Sequence, residues 1–267
     1  MSSFNILSIA GTDPSGGAGI QADLKAVSAL GGYGMSVVTA LVAQTTTGVA
    51  EVHRVPPAFI TRQLDVLLED VRADAVKIGM LADTEVIDAV AGALDTHRPP
   101  HVVLDPVMVA KSGDRLLAAD AIGAVRTRLL PRADLITPNL PEAAELLGVK
   151  EAADTAEMEH QARGLLDLGA RRVLIKGGHL DTDESTDLLV EPGRPAAAFT
   201  APRVATKNTH GTGCTLSSAI AALLPQRDGC AEAVREAKGY LTEALRRADD
   251  LDVGSGKGPV HHFHAWW

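Results

Sequence analysis

The chain has 267 residues, a formal net charge of −9 and 46% hydrophobic residues. This length predicts one large α/β domain or two small ones, with ample apolar material for a core. An aromatic content of only 3% and the acidic balance argue against a nucleic-acid partner, which needs a basic face and rings for base stacking. A small phosphorylated ligand stays compatible with the charge, because a few local donors suffice to bind it.

Two cysteines, Cys214 and Cys230, are too few for a disulfide framework and favour a reducing compartment. The N-terminal residues lack the basic and apolar segments of a signal peptide. No run approaches the roughly 18 apolar residues of a membrane span. We therefore expect a soluble cytoplasmic protein without a membrane partner.

Short apolar runs alternate with helical patterns along the first two thirds of the chain. The runs that predict strands are 5–10, 35–42, 75–78, 102–104, 134–136 and 172–175. The stretches that predict helices are 21–30, 57–71, 84–94, 118–130, 142–147 and 157–168. This order predicts a mostly parallel sheet with helices on both faces.

The pattern changes after residue 175. Residues 187–190 and 197–200 read as strands joined by a turn at 191–194, which predicts a small antiparallel edge. Helical patterns at 215–224 and 231–248 follow, and no linker or repeat divides the chain. We expect a single domain over 1–267, with polar residues gathered in one cleft where the parallel strands end.

The segment 209–215 is the most informative part of the sequence. Gly211 and Gly213 leave the backbone bare where a helix should begin, so exposed N–H groups and the helix dipole favour an anion. Cys214 lies at the same helix start, where the dipole is expected to lower its thiol pKa. Replacement of Gly213 by a β-branched residue is expected to abolish activity if its backbone needs a glycine-only conformation.

Other polar residues each allow two interpretations. The glycine-rich segment 11–23 lacks the spacing of a P-loop or a dinucleotide fingerprint, and could be a plain turn or a ligand loop. Gln44 could match an aminopyrimidine edge or bond to nearby backbone. Asn139 and Glu142 could cap a helix or orient Mg²⁺. Lys176 could reach a phosphate or lie on the surface.

Asp105 could be a turn residue or an active-site charge. The ending 261–267 contains three histidines and two tryptophans but no supporting ligands, so it is a weak metal signal. We expect those tryptophans to dock on the body or on a second subunit.

Taken together, these segments resemble one enzyme family. Residues 11–25, 38–44, 77–81, 137–142, 174–179 and 207–215 are similar to the bacterial hydroxymethylpyrimidine/phosphomethylpyrimidine kinases of thiamine biosynthesis, and the likeness extends to the ending 261–267. The resemblance implies a ribokinase-like fold and two ATP-dependent phosphorylations of 4-amino-5-hydroxymethyl-2-methylpyrimidine. It also implies Mg²⁺ as cofactor and a homo-oligomer, expected to be a dimer.

The same resemblance implies roles for individual residues. Those expected around the pyrimidine are Gln44, Gly11, Asp23, Met80 and Val107. Those expected at the transferring phosphoryl are Gly211, Gly213 and Cys214. Those expected at the nucleotide are Lys176, Thr209 and Thr212, and those expected at the metal are Asn139, Glu142 and Asp105. Cys214 stands where many sugar kinases of the superfamily have an aspartate base, which leaves the proton acceptor open.

Three alternative functions are compatible with parts of the pattern. A pyridoxal-type kinase is the nearest, because its substrate is also a hydroxymethyl heteroaromatic. A dinucleotide-dependent oxidoreductase would need a fingerprint that the glycines do not supply. A silent nucleotide-binding module is the third. We further hypothesise that residues 107–117 form a flap over the cleft.

Overall fold

The computed structural model describes residues 3–109, 117–178 and 183–267; the central part of the hypothesised flap lies outside these ranges. Within them, nine strands form one sheet in the order β3-β2-β1-β4-β5-β6-β7-β8-β9. The strands are β1 Asn5–Gly11, β2 Tyr33–Thr45, β3 Gly48–Arg54, β4 Ala75–Ile78, β5 Val102–Leu104, β6 Leu135–Ile136, β7 Val173–Lys176, β8 Glu184–Val190 and β9 Ala197–Pro202. Six neighbouring strands of this sheet are parallel, as expected: β2, β1, β4, β5, β6 and β7.

Helices cover both faces of this sheet. Their bounds are α1 Gly19–Ala29, α2 Pro57–Asp70, α3 Thr84–His97, α4 Ile122–Ala124, α5 Leu140–Leu147, α6 Thr155–Asp167, α7 Thr212–Leu223 and α8 Cys230–Arg246. Alternate strand residues serve opposite faces: Ile136 belongs to the core cluster that includes α2, α3, α5 and α6. Its neighbour Leu135 packs with α7 and α8. The expected ribokinase-like, doubly covered architecture is confirmed.

Two elements differ from the expectation. The predicted helix 118–130 is divided into a 3₁₀ turn, the short α4, a π-helical turn Val125–Leu129 and a second 3₁₀ turn Leu130–Arg132. Pro131, which has no N–H to donate, starts that last turn. Strand β3 was not foreseen, because as an edge strand it buries none of its residues and lacks an apolar signal.

The predicted antiparallel edge is confirmed: β8 and β9 pair as a hairpin around the turn at 191–194. Strand β3 makes a second antiparallel edge against β2. No helix in the described ranges is long and apolar enough to cross a membrane. At the end of the chain the expected docking of the tryptophans on the body is wrong, and their docking on a second subunit stays a prediction. His261 and His262 are buried against the body, whereas Trp266 and Trp267 are 70% and 71% exposed.

Candidate active site

One cavity of about 720 Å³ opens at the carboxyl ends of the parallel strands. It is lined by residues that follow successive strands, among them Gly11, Gln44, Lys77, Asp105, Asn139 and Lys176, and by the start of α7. These are the strand-end residues that the sequence placed in a single cleft. The topology brings them together because parallel strands end at the same edge.

The start of α7 depends on Gly211. This residue is the N-cap and has φ +76°, in the left-handed region that favours glycine. A Cβ there would also overlap the carbonyl oxygen of Gly17. Gly213 has no such φ, and a Cβ on it would approach Lys176 Nζ at 3.3 Å. The glycine-only conformation expected at Gly213 is therefore wrong for that residue and belongs to Gly211.

The backbone N–H groups of residues 211–214 face the cavity. Within the described part of the chain none of these four amides donates to a protein acceptor, and the first amide of this turn with a partner is that of Thr215, 2.8 Å from Gly211 O. Helix starts leave such donors unsatisfied, and they attract anions together with the helix dipole. We call residues 211–214 the phosphoryl cradle.

Cys214 lies in the first turn of α7 and lines the cavity. Burial raises the pKa of its thiol to about 11; Lys77 opposes this effect, while Asp23 and Asp105 add to it. The expected lowering of this pKa by the helix dipole is wrong, because loss of hydration and two nearby carboxylates outweigh the dipole. Cys214 is a protonated thiol at neutral pH.

Lys176 joins the cradle to two carboxylates. Its Nζ lies 2.7 Å from Asp105 Oδ1 and 3.8 Å from Glu142 Oε2. Asp105 also accepts hydrogen bonds from Thr137 and Ser217. Burial would raise the pKa of Asp105, but Lys176 and Lys77 hold it below its usual range. Asp105 is therefore an ionised partner of Lys176 that helps to orient the ammonium group in the cavity.

Asn139 and Glu142 form a complete capping box at the start of α5. Asn139 Oδ1 accepts from the Glu142 amide at 2.8 Å, and Glu142 Oε2 accepts from the Asn139 amide at 2.8 Å. The predicted cap is confirmed. Both side chains nevertheless line the cavity, and burial with nearby Asp105 raises the pKa of Glu142 to about 7.

Asp23 is fully buried and does not line the cavity. Its carboxylate accepts from Lys77 Nζ at 2.8 and 2.9 Å, from Ser8 Oγ at 2.6 Å and from Ser218 Oγ at 2.7 Å. This geometry places Asp23 beneath the cavity, where it neutralises Lys77, in place of the expected contact with the pyrimidine ring.

The other residues expected around the pyrimidine lie together. Gln44, Gly11, Met80 and Val107 all line the cavity, and a Cβ on Gly11 would approach Met80 Cε at 3.3 Å. Met80 belongs to a small apolar cluster with Ala40 and Val42. The result is an apolar floor with one carboxamide beside it, which suits a flat heterocycle.

Sequence reasoning missed the pair formed by His210 and Asp13. His210 Nε2 lies 2.7 Å from Asp13 Oδ2, and Asp13 also accepts from the Ser15 and Ala18 amides. Burial opposes ionisation, yet hydrogen bonds from His210, Gln44 and Ser15 hold the pKa of Asp13 well below its usual range. The sequence left segment 11–23 open between a turn and a ligand loop, and no local pattern links Asp13 to a histidine 197 positions away.

The far end of the cavity is lined by β9 and α8. Leu241 and Leu245 supply apolar surface, and Lys238 lies 2.7 Å from Asp187 Oδ2. Thr209 and Thr212 also line the cavity, Thr212 as a member of the cradle. The cavity thus has two arms that meet at the phosphoryl cradle.

A family model described as phosphomethylpyrimidine kinase matches residues 13–261. The chain belongs to this family. The hydroxymethylpyrimidine/phosphomethylpyrimidine kinase of Escherichia coli is 58% identical over 100% of both chains. The thiamine biosynthesis bifunctional protein of Geobacter sulfurreducens is 51% identical over 98% of this chain and 52% of that protein.

Among solved structures, the pyridoxal kinase of Staphylococcus aureus in complex with AMP-PCP superimposes with a TM-score of 0.91. The two chains are 34% identical, and the superposition covers 100% of the present chain and 96% of the pyridoxal kinase chain. The ribokinase-like architecture is thus shared with kinases that act on a different heteroaromatic alcohol, so the acceptor must be argued from the site.

Proposed function

We propose that this protein transfers the γ-phosphoryl group of ATP to 4-amino-5-hydroxymethyl-2-methylpyrimidine, and then phosphorylates the monophosphate to the pyrophosphate, in thiamine biosynthesis. The observation that carries the proposal is the phosphoryl cradle, whose four amides have no acceptor among the described residues and lie beside Lys176. Amides held in place before the reaction stabilise charge that develops during transfer. The choice of substrate is supported by the 58% identity, over the full length of both chains, to the hydroxymethylpyrimidine/phosphomethylpyrimidine kinase of Escherichia coli.

ATP is assigned to the arm formed by β9 and α8. Its base would pack on Leu241 and Leu245, and its phosphates would run past Thr209 to Thr212 and the rest of the cradle. Lys176, held by Asp105 at 2.7 Å, would contact the phosphates. A lysine already oriented by a carboxylate loses little freedom on binding, which favours productive alignment.

The pyrimidine is assigned to the opposite arm. Its ring would lie on Met80 and Val107, and Gln44 would pair with the amino group and the adjacent ring nitrogen. A carboxamide presents a donor and an acceptor side by side, as this edge requires. This orientation would direct the hydroxymethyl oxygen towards the phosphoryl cradle.

In the transfer step, a bond forms between the hydroxymethyl oxygen and the γ-phosphorus while the bond from the γ-phosphorus to the β,γ-bridging oxygen breaks. The hydroxyl proton leaves to solvent. The loose character of phosphoryl transfer keeps the demand for a strong base small. Cys214, whose thiol is protonated, would act as a hydrogen-bonding group and not as the base.

Mg²⁺ is the proposed cofactor. No group of three or more His, Cys, Asp or Glu side chains in the described ranges could hold a metal alone. The residues present fit an ion held mainly by ATP phosphates, since the buried carboxyl of Glu142 and the carboxamide of Asn139 supply oxygen donors beside the cavity. Glu142 and Asn139 would hold the hydrated ion. When bound, it would neutralise phosphate charge.

The second phosphorylation would use the same cradle. The monophosphate is already ionised near neutral pH, so its oxygen attacks without loss of a proton.

Two free thiols support a reducing, cytoplasmic location. Exposed Leu41 on β2 and Phe59 on α2 support a homodimer, which light scattering would test.

The test of the proposed function is incubation of the protein with ATP, MgCl₂ and the aminopyrimidine alcohol, with products identified by mass. We expect the monophosphate first and the pyrophosphate later. A parallel reaction with pyridoxal addresses the alternative. A higher kcat/KM for pyridoxal than for the pyrimidine would contradict the proposal.

A further inference from the structure

We propose that residues 254–262, which we name the strap, fix the pyrimidine arm of the site relative to the phosphoryl cradle. The strap contains glycines at 254, 256 and 258 and ends in two buried histidines. Its residue Lys257 also lines the cavity. The inference rests on the proposed function for the identity of the ligands, but its contacts stand independently.

The first attachment of the strap is to Thr46, two residues after Gln44. The Gly256 amide donates to Thr46 Oγ1 at 3.1 Å, and the Lys257 amide donates to Thr46 O at 3.1 Å. A Cβ on Gly256 would overlap Thr46 O. The backbones are therefore in contact, and a side chain at Gly256 must push Thr46 and the end of β2 away.

The second attachment is to the loop before the cradle. The His210 amide donates to Gly258 O at 3.0 Å, and the Gly258 amide donates to Asn208 Oδ1 at 3.0 Å. Only two positions along the strap separate Gly256, on Thr46, from Gly258. A segment this short transmits displacement directly between the end of β2 and the loop before the cradle.

The third attachment is to α7 and α8. His262 Nε2 lies 3.0 Å from Thr215 Oγ1, in the residue after the cradle, and Tyr240 donates to His262 O at 2.7 Å. The His261 amide donates to Ala244 O at 2.9 Å. Burial lowers the pKa of His262 to about 3, so the ring carries no charge at the helix start. The strap thus holds Thr46, His210 and Thr215 in one hydrogen-bonded unit.

The role assigned to these residues is positioning. Catalytic efficiency is sensitive to misplacement, and a shift of about 1 Å far from the reacting atoms can reduce it about 100-fold. Loss of the strap contacts should therefore reduce pyrimidine turnover without loss of nucleotide binding. A merely structural segment would lower stability and all activities together.

The experiment compares Gly256→Ala with Gly48→Ala. Gly48 is the control because it begins β3, two residues after the Thr46 that Gly256 contacts, and its Cβ would meet no atom within 4 Å. We expect Gly256→Ala to lower kcat/KM for the pyrimidine about 10- to 100-fold, with ADP affinity within about twofold of the wild type. Amide hydrogen exchange should become faster in both 42–47 and 208–215. Gly48→Ala should change neither measurement.

Faster exchange confined to 254–258, or unchanged kcat/KM in a folded Gly256→Ala protein, would overturn the proposal. If Gly256→Ala does not fold, His262→Leu takes its place, with His262→Gln as the conservative variant expected to restore the bond to Thr215. Hydrogen exchange needs no substrate, so a wild type that forms no product would contradict the proposed function alone.

Discussion

His210 Nε2 lies 2.7 Å from Asp13 Oδ2 and so joins the loop after β1 to the residue just before the phosphoryl cradle. The Asp13 side chain is fully buried and that of His210 is 16% exposed. A buried carboxylate in this position is stabilised by the hydrogen bonds from His210 and from the Ser15, Gly17 and Ala18 amides. The pair holds together two loops that line the cavity.

Removal of one partner should therefore be costly. We expect His210→Leu to lower the free energy of unfolding by about 3 kcal/mol at pH 7, because it leaves the Asp13 charge buried and under-compensated. The pKa of Asp13 is depressed on folding, so this contribution is present above pH 3.8 and fades as the pH falls further. Urea denaturation at pH 7 and pH 3 measures it. The exposed His53→Leu is the control, and equal losses in both variants would count against the pair.

Gly211 should tolerate no side chain. Gly211→Ala forces a left-handed φ on alanine and an overlap with Gly17 O, so the cradle must move. We expect kcat to fall at least about 100-fold. Steady-state assays check this. Gly229→Ala is the matched control, because Gly229 is the N-cap of α8 with φ −170° and open space around it. A fully active Gly211→Ala would remove the basis for the cradle.

Glu142 should make stability depend on pH. Its pKa rises from 4.5 to about 7 on folding, so the stabilisation from its protonated form is complete below pH 4.5 and is lost as the pH rises through 7. Glu142→Gln keeps the cap and removes the charge. We expect this variant to be more stable than the wild type at pH 8, by up to about 3 kcal/mol, and nearly equal at pH 4.5. Thermal unfolding at both pH values decides the matter.

Cys214 should react slowly with alkylating agents. Because the pKa of its thiol is about 11, the reactive thiolate is scarce at pH 7.5. The iodoacetamide rate, followed by peptide mass, should rise steadily up to pH 10. Cys214→Ser should retain kcat within about tenfold, since the serine hydroxyl is also a protonated hydrogen-bonding group. A plateau in alkylation near pH 7 would contradict this protonation state.

Gln44 should determine the affinity for the pyrimidine and not the affinity for the nucleotide. We expect Gln44→Ala to raise KM for the pyrimidine by about 10- to 100-fold and leave KM for ATP unchanged, because only the pyrimidine arm loses a paired donor and acceptor. Gln44→Glu, which lacks the donor, should behave similarly. Equal increases in both KM values would make Gln44 a structural residue.

Much of the fold follows from local patterns. Strands β4 and β5 have the predicted bounds because fully buried parallel strands read as continuous apolar runs. The capping box of α5 was legible as Asn139 followed by Glu142 at the required spacing. The strand-end cleft followed from topology alone.

Long-range contacts and burial could not be predicted in this way. Asp23 on α1 was expected at the ring, but its carboxylate forms an ion pair with Lys77 on β4. The pKa of Cys214 was expected to fall, but its direction depends on hydration and on carboxylates remote in sequence. Edge strand β3 buries no residue, so its sequence has no hydrophobic periodicity that would predict a strand.

The side chains of Lys77 and Asp23 are both at 0% exposure, and this ion pair restricts which substitutions the two positions can accept during evolution. A change at either position alone strands a charge in the interior, whereas joint replacement by apolar residues of similar volume is often neutral for folding. A saturation library selected only for folded protein should therefore contain double replacements at these two positions and very few single ones.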